Sequence, residues 1–158
     1  MEHRAPEVIL GSIFCSHFMS KEKLPAHKRY ADLIRKFSPE IIKGLDTIDW
    51  IDKEYYPVFE DLVDHLVTDI YGFAYKRPHI AIETRHLISL GVLAAMGGCE
   101  PQLKFQLEAA LNLGIPPAEV KEVFIQVAVF AGNARAINAA NIFHKILMKR
   151  NSDGEHPQ

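Results

Sequence analysis

Residues 83–149 read ETRHLISLGVLAAMGGCEPQLKFQLEAALNLGIPPAEVKEVFIQVAVFAGNARAINAANIFHKILMK. Apolar residues recur there at three- and four-residue spacing, the signature of helices, and short Gly/Pro breaks divide the run. The first predicted helix spans about Ile80 to Met96. With Leu87, Ile88, Leu90, Val92 and Leu93 it is too apolar for a surface helix and belongs in the centre. Gly97-Gly98 closes it. Pro101 suits the first turn of the next helix, whose stripe of Leu103, Leu107, Ala110 and Leu111 runs up to Gly114. Pro116-Pro117 with Glu119 opens a third helix through Phe130, with Val120, Val123, Phe124, Val127 and Phe130 facing inward. Ala131-Gly132-Asn133 breaks it, and a last helix takes Ala136 to about Met148.

Upstream, Ala31, Leu33, Ile34 and Phe37 mark a short helix stopped at Ser38-Pro39, where Ser38 can cap a second short helix from Pro39 to Leu45. Phe59, Leu62, Val63, Leu66, Val67, Ile70 and Tyr71 carry another helical pattern that ends near Gly72. Tyr75-Lys76-Arg77-Pro78 makes a loop, because a residue before proline is pushed out of helical geometry. No alternating strand pattern of useful length occurs. The expectation is an all-α, compact helical bundle: residues 1–28 as an irregular N-terminal arm, 29–150 as a single helical domain, and 151–158 as a polar, disordered tail.

The 158 residues are 48% hydrophobic and 24% charged, which suits one globular domain able to bury a core without staples. The net charge of -2 with interspersed signs argues against nucleic acid, which demands a basic face. The apolar run Val8 to Met19 is interrupted and too short to span a bilayer. No basic segment with a clean cleavage site precedes it, so neither membrane insertion nor secretion is expected. Cys15 and Cys99 form no metal or redox spacing, and a reducing, cytoplasmic setting is the default. The scattered histidines form no ligand set, so no metal and no cofactor is expected.

Arg85 with Leu87, LAAMGGCEPQL at Leu93 to Leu103, EAALNLGIPPAEVKEVFIQVAVFAG at Glu108 to Gly132, and Arg135 with Asn138-Ala139 together resemble the carboxymuconolactone decarboxylase superfamily, which includes the alkylhydroperoxidase D-like proteins. The resemblance covers the C-terminal half. It implies the helical fold, a homo-oligomer, trimer or hexamer, and a small organic acid as substrate. Small residues such as Ala94, Ala109, Ala136 and Ala139 at the helix seams suit close helix and subunit packing.

The peroxidase-like members use a Cys-x-x-Cys pair whose second thiol resolves the oxidised first. Cys99 matches the first position, and Gln102 stands at the second. The decarboxylase-like members carry a histidine one turn into the same helix, where this chain has Gln106, an amide that cannot shuttle protons. The superfamily's acidic position on the central helix falls on His86 or, with the register shifted by one, Arg85. His86 is then the candidate acid/base, since imidazole titrates near neutrality; its other reading is a polar residue on an exposed helix face.

Cys99 at a helix N-terminus favours the thiolate, or serves as a small buried hydrophobe. Arg135 at the start of the last helix could meet a carboxylate with both its guanidinium and helix N–H groups, or pair with an acid of a neighbouring subunit. Gln102 and Gln106 share a helix face and could line a polar wall, or face solvent. Trp50, Tyr55, Tyr56, Phe59, Tyr71, Phe73 and Tyr75 could cover an apolar substrate, or serve packing. The leading expectation is a cofactor-independent, decarboxylase-like enzyme; the alternatives are a thiol peroxidase using Cys99 and a non-catalytic helical scaffold.

Overall fold

The computed structural model describes residues 24–38 and 45–152, and among these the chain is helical throughout, without a β-strand. Two short helices, α1 (Ala26–Arg29) and α2 (Ala31–Phe37), lead into a long helical stretch. It consists of α3 (Thr47–Trp50), a π-type turn (Ile51–Tyr55), α4 (Tyr56–Val67) and a second π-type turn (Thr68–Ala74). Pro57 lies just after the first π turn; it cannot donate to the ladder and its ring crowds the carbonyl four residues back, which accounts for the widened turn and the non-helical backbone at Phe59. The loop expected at residues 75–78 follows. Then come α5 (Ile82–Met96), α6 (Glu100–Asn112), α7 (Pro117–Ala131) and α8 (Asn133–Ser152).

The punctuation predicted for the C-terminal half is present. Gly97 and Gly98 both take positive φ, 67° and 71°, where a side chain would be strained, and so turn α5 sharply into α6. Pro101 and Pro117 sit in first turns. The main core lies among α5–α8 and is built on Leu90, Leu103, Leu107, Val120, Phe124 and Phe143. A smaller cluster of Ala26, Ile34, Ile48 and Val67 lies under α1–α4. Arg35 joins α2 to the entry of α3 through a forked pair with Asp46 at 2.7 and 3.2 Å, which holds the Asp46 carboxyl below the usual range. Asn112 donates to the Phe37 carbonyl at 2.9 Å and accepts from Arg150 at 2.7 Å, tying α2, α6 and α8 together.

Several expectations change. Ala26 and His27 are fully buried, so packed structure begins before residue 29. The arm up to residue 23, most of the short helix at 39–45, and residues 153–158 of the tail lie outside the described residues, whereas Asn151 and Ser152 belong to α8. α8 starts at Asn133, not Ala136, because Gly132 alone supplies the break. Phe130 does not face inward: it is 83% exposed. α5 is central, yet Ile88, Val92 and Met96 point away from the core. Among the described residues no helix is long and apolar enough to cross a membrane.

Candidate active site

The structure gathers the singled-out residues into two groups. The first surrounds His86, in the second turn of α5. Its side chain is 0% exposed, so it is neither on an exposed face nor on the wall of an open pocket. Its Nε2 lies 2.8 Å from the backbone carbonyl of Gln106 on α6, and its Nδ1 lies 3.0 Å from the Tyr75 hydroxyl. A carbonyl only accepts, so Nε2 carries the proton and donates; Nδ1 then accepts from Tyr75. The Phe37 ring packs at 5.4 Å on His86 and at 4.8 Å, edge-on, against Tyr75. Thus Tyr71 and Tyr75 serve the core, while Tyr55, Phe59 and Phe73 are exposed.

Burial lowers the His86 pKa from its ordinary 6.5, opposed by the Gln106 carbonyl, and burial raises that of Tyr75. A histidine held neutral in the fold but free to charge when unfolded binds fewer protons in the native state. Its stabilisation is therefore complete above about pH 6.5 and is lost as pH falls through 6.5 toward the folded pKa. The unfolding free energy from denaturant titrations should fall below about pH 6.5 with a slope of up to about 1.4 kcal/mol per pH unit from this group. His86→Gln should flatten that limb, and an unchanged slope in the variant would remove His86 as its source.

The second group lies beyond the other end of α5. Ten residues of helix, about 15 Å, separate His86 from Met96. There Cys99 occupies the N-cap of α6, with its thiol donating to the Leu93 carbonyl at 3.4 Å. Cys99, Glu100, Arg135 and Asn138, with Gly97 and Gly98, line one small cavity of about 60 Å³. The Glu100 carboxylate accepts the Gly98 N–H at 3.3 Å and so braces the glycine turn. Arg135 stands in the first turn of α8, beside the cavity, and its Nε lies 4.0 Å from where a Cβ on Gly97 would sit.

His86 and Cys99 are therefore not brought to one pocket; instead His86 meets Gln106, and Cys99 lines a cavity with Arg135. Arg85 points to the loop, donating from Nη2 to the Arg77 carbonyl at 3.0 Å, with its Nε buried and unpartnered. Gln102 faces solvent, and Gln106 contributes its backbone oxygen to His86. Glu100 and Asn138 are not among the site residues expected from the sequence, and Tyr75, expected there as a substrate cover or a packing residue, is a hydrogen-bond partner of His86. Asn138 follows Arg135 by three residues, which places both on one face of a helix, a signal present in the sequence. Among the described residues no group of three His, Cys, Asp or Glu side chains is placed to hold a metal ion.

Comparison with known proteins agrees with this architecture. Residues 62–145, just over half of the chain, match the carboxymuconolactone decarboxylase family. A 4-carboxymuconolactone decarboxylase of Acinetobacter baylyi is 32% identical over 81 residues, which is 51% of this chain and 59% of the relative. The chain thus aligns with about three-fifths of that relative's length. The matched segment runs from within α4 into α8 and takes in both groups of residues apart from Phe37. With its four-helix core, its Gly97-Gly98 turn and its Arg135–Asn138 helix entry inside that segment, this all-α chain belongs to the carboxymuconolactone decarboxylase family.

Proposed function

We propose that the chain is a cofactor-independent, decarboxylase-like lyase acting on a small lactone that bears carboxylates, and that the cavity between α6 and α8 is where it binds. The observation that carries this reading is the convergence of Arg135, Asn138 and Glu100 with the α6 N-terminus on one cavity. Guanidinium, amide and helix N–H groups are the donors an organic acid requires. A cavity of about 60 Å³ has roughly the volume of two water molecules, so it takes a carboxylate group and leaves the ring at its mouth.

Decarboxylation breaks the bond between ring carbon and carboxylate. Carbon dioxide leaves, the electron pair passes into the adjoining conjugated carbonyl as an enolate, and the carbon is then protonated. Arg135 and Asn138 hold a carboxylate that stays on the ring, since binding the departing one would oppose its loss. Glu100, a carboxylate on the cavity wall, passes a proton from water to that carbon. His86 meets no substrate in this reading. With Gln106 and Tyr75 it fixes the packing of α5 on α6, and Arg85 secures the loop before α5.

The apolar groove between α5 and α7, about 430 Å³ and floored by Gly91, supports self-association, with Phe130 protruding at its edge. A contiguous apolar surface of this kind marks an interface.

The second reading, a thiol peroxidase, draws support from Cys99 lying on the cavity wall. A panel of carboxylated lactones followed by carbon dioxide release separates the two. Turnover supports the lyase. No release from any member of the panel, together with rapid oxidation of the Cys99 thiol by an added hydroperoxide, would replace it with the thiol reading.

A further inference from the structure

We propose that α4 of one copy docks along the groove between α6 and α8 of a second copy, head to tail, and thereby walls the mouth of the Cys99–Arg135 cavity. Both halves of this contact lie on the same chain. Val58, Phe59, Leu62, Leu66 and Phe73 recur at helical spacing and stand 47–69% exposed. Outside its own helical stretch α4 packs mainly on α1, where the Ala26 N–H donates to Asp64 at 2.7 Å. The opposite face is an apolar stripe that meets no partner element among the described residues. Soluble chains rarely leave so continuous an apolar surface in water.

The charge around the stripe identifies its receptor. Residues 47–74 carry seven carboxylates, at 49, 52, 54, 60, 61, 64 and 69, against the single lysine Lys53. Asp52 and Asp64 are engaged with α1, which leaves Asp49, Glu54, Glu60, Asp61 and Asp69 along the exposed stretch, Glu60 accepting from the Tyr56 hydroxyl at 3.2 Å and Asp69 lying 3.4 Å from His65. The α6/α8 groove, about 520 Å³, has an apolar floor of Pro101, Ile142 and Ile146 and a net basic rim, Lys104, Lys145 and Lys149 against Glu100 and Glu108. Lys104 lies 4.0 Å from Glu108, whereas Lys145 and Lys149 have no carboxylate within pairing distance among the described residues. The α5/α7 groove carries no charged residue on its lining, so it offers the α4 carboxylates nothing.

A stripe on one surface and a groove on another make a heterologous contact, which propagates from copy to copy until the rotation closes a ring. The groove shares Glu100 and Ile142 with the small cavity, so a helix seated in it borders the cavity mouth. That last step rests on the cavity being the substrate site; the contact itself does not.

The test is the mass of the purified full chain by light scattering and native mass spectrometry, with helicity checked by circular dichroism. Wild type should be an oligomer whose association weakens with salt, since exposed charge pairs are screened. The stripe variant Leu62→Glu/Leu66→Glu and the groove variant Lys145→Glu/Lys149→Glu should each stay helical and fall at least twofold in mass. Mixed together they should form species holding both chains equally, because each retains the half the other has lost. A second pair, Asp61→Lys/Asp69→Lys mixed with the same groove variant, should also associate, with the charges exchanged.

Monomeric wild type, or stripe and groove variants that keep wild-type mass, would overturn the proposal. So would loss of mass in the stripe variant alone, or mixtures that do not combine; a mass that responds only to Ile88→Glu would place the interface at α5/α7 instead. None of these readings depends on turnover, so a failure of the lyase assignment leaves the result for assembly intact.

Discussion

His86→Ala is expected to lower the unfolding free energy by about 3–5 kcal/mol, in the range of large-to-small changes at a buried ring. Three losses coincide. The imidazole is fully buried, so its removal leaves a cavity walled by Phe37 and Tyr75 that rigid helices cannot collapse into. The Gln106 carbonyl loses its side-chain donor, and the Tyr75 hydroxyl loses its acceptor. A buried polar group left unpaired costs about 1–3 kcal/mol, more than the bond was worth net. In a chain of this size each kcal/mol moves the melting temperature by about 2–4 °C, so a drop of roughly 10 °C is expected in a thermal scan. His86→Gln keeps polar atoms near both partners and should recover part of it. A stable His86→Ala protein with lost turnover would instead give the histidine a chemical role.

The sequence leaves two readings of this residue open. Apolar periodicity locates α5, but His86 is read there as a candidate acid/base or an exposed polar residue. The structure shows a third state, buried and bonded at both nitrogens. Its partners explain why. Tyr75 comes from the loop before α5, and Gln106 acts through its backbone, so no side-chain motif encodes the pair. By contrast, the breaks at Gly97-Gly98 and Pro116-Pro117 were legible because each has a local physical cause, positive φ or a fixed φ without a donor.

Periodicity also failed at Phe130, Ile88 and Val92 for a single reason: an apolar residue at helical spacing announces burial, not whether the burying surface is the same chain. The π turns around α4 have no sequence signal beyond Pro57. The juxtaposition of Cys99 with Arg135 needs the return of α8 across the start of α6, a long-range crossing that spacing along the chain cannot report.

Arg135→Ala is expected to reduce kcat/KM toward a carboxylated lactone by roughly 10- to 150-fold, the equivalent of a charged hydrogen bond worth about 1.5–3 kcal/mol. The reasoning starts from position. Gly132, with φ of 104°, ends α7, and α8 begins one residue later, so residue 135 falls in a first helical turn beside the cavity. Its side chain makes no hydrogen bond or ion pair with the described residues, so the guanidinium is available to a ligand and contributes little to folding. Truncation should therefore change stability by no more than about 0.5 kcal/mol, as at other surface sites. Because Arg135 holds a carboxylate that does not react, ground state and transition state lose it alike: KM should rise while kcat holds. Arg135→Lys should recover only part of the loss, since an ammonium keeps the charge but not the planar fork. The decisive comparison uses a substrate in which that carboxylate is replaced by a neutral amide. Wild type and Arg135→Ala should handle it equally poorly, and an undiminished effect of the substitution on the amide would show that the guanidinium acts on the reacting atoms instead.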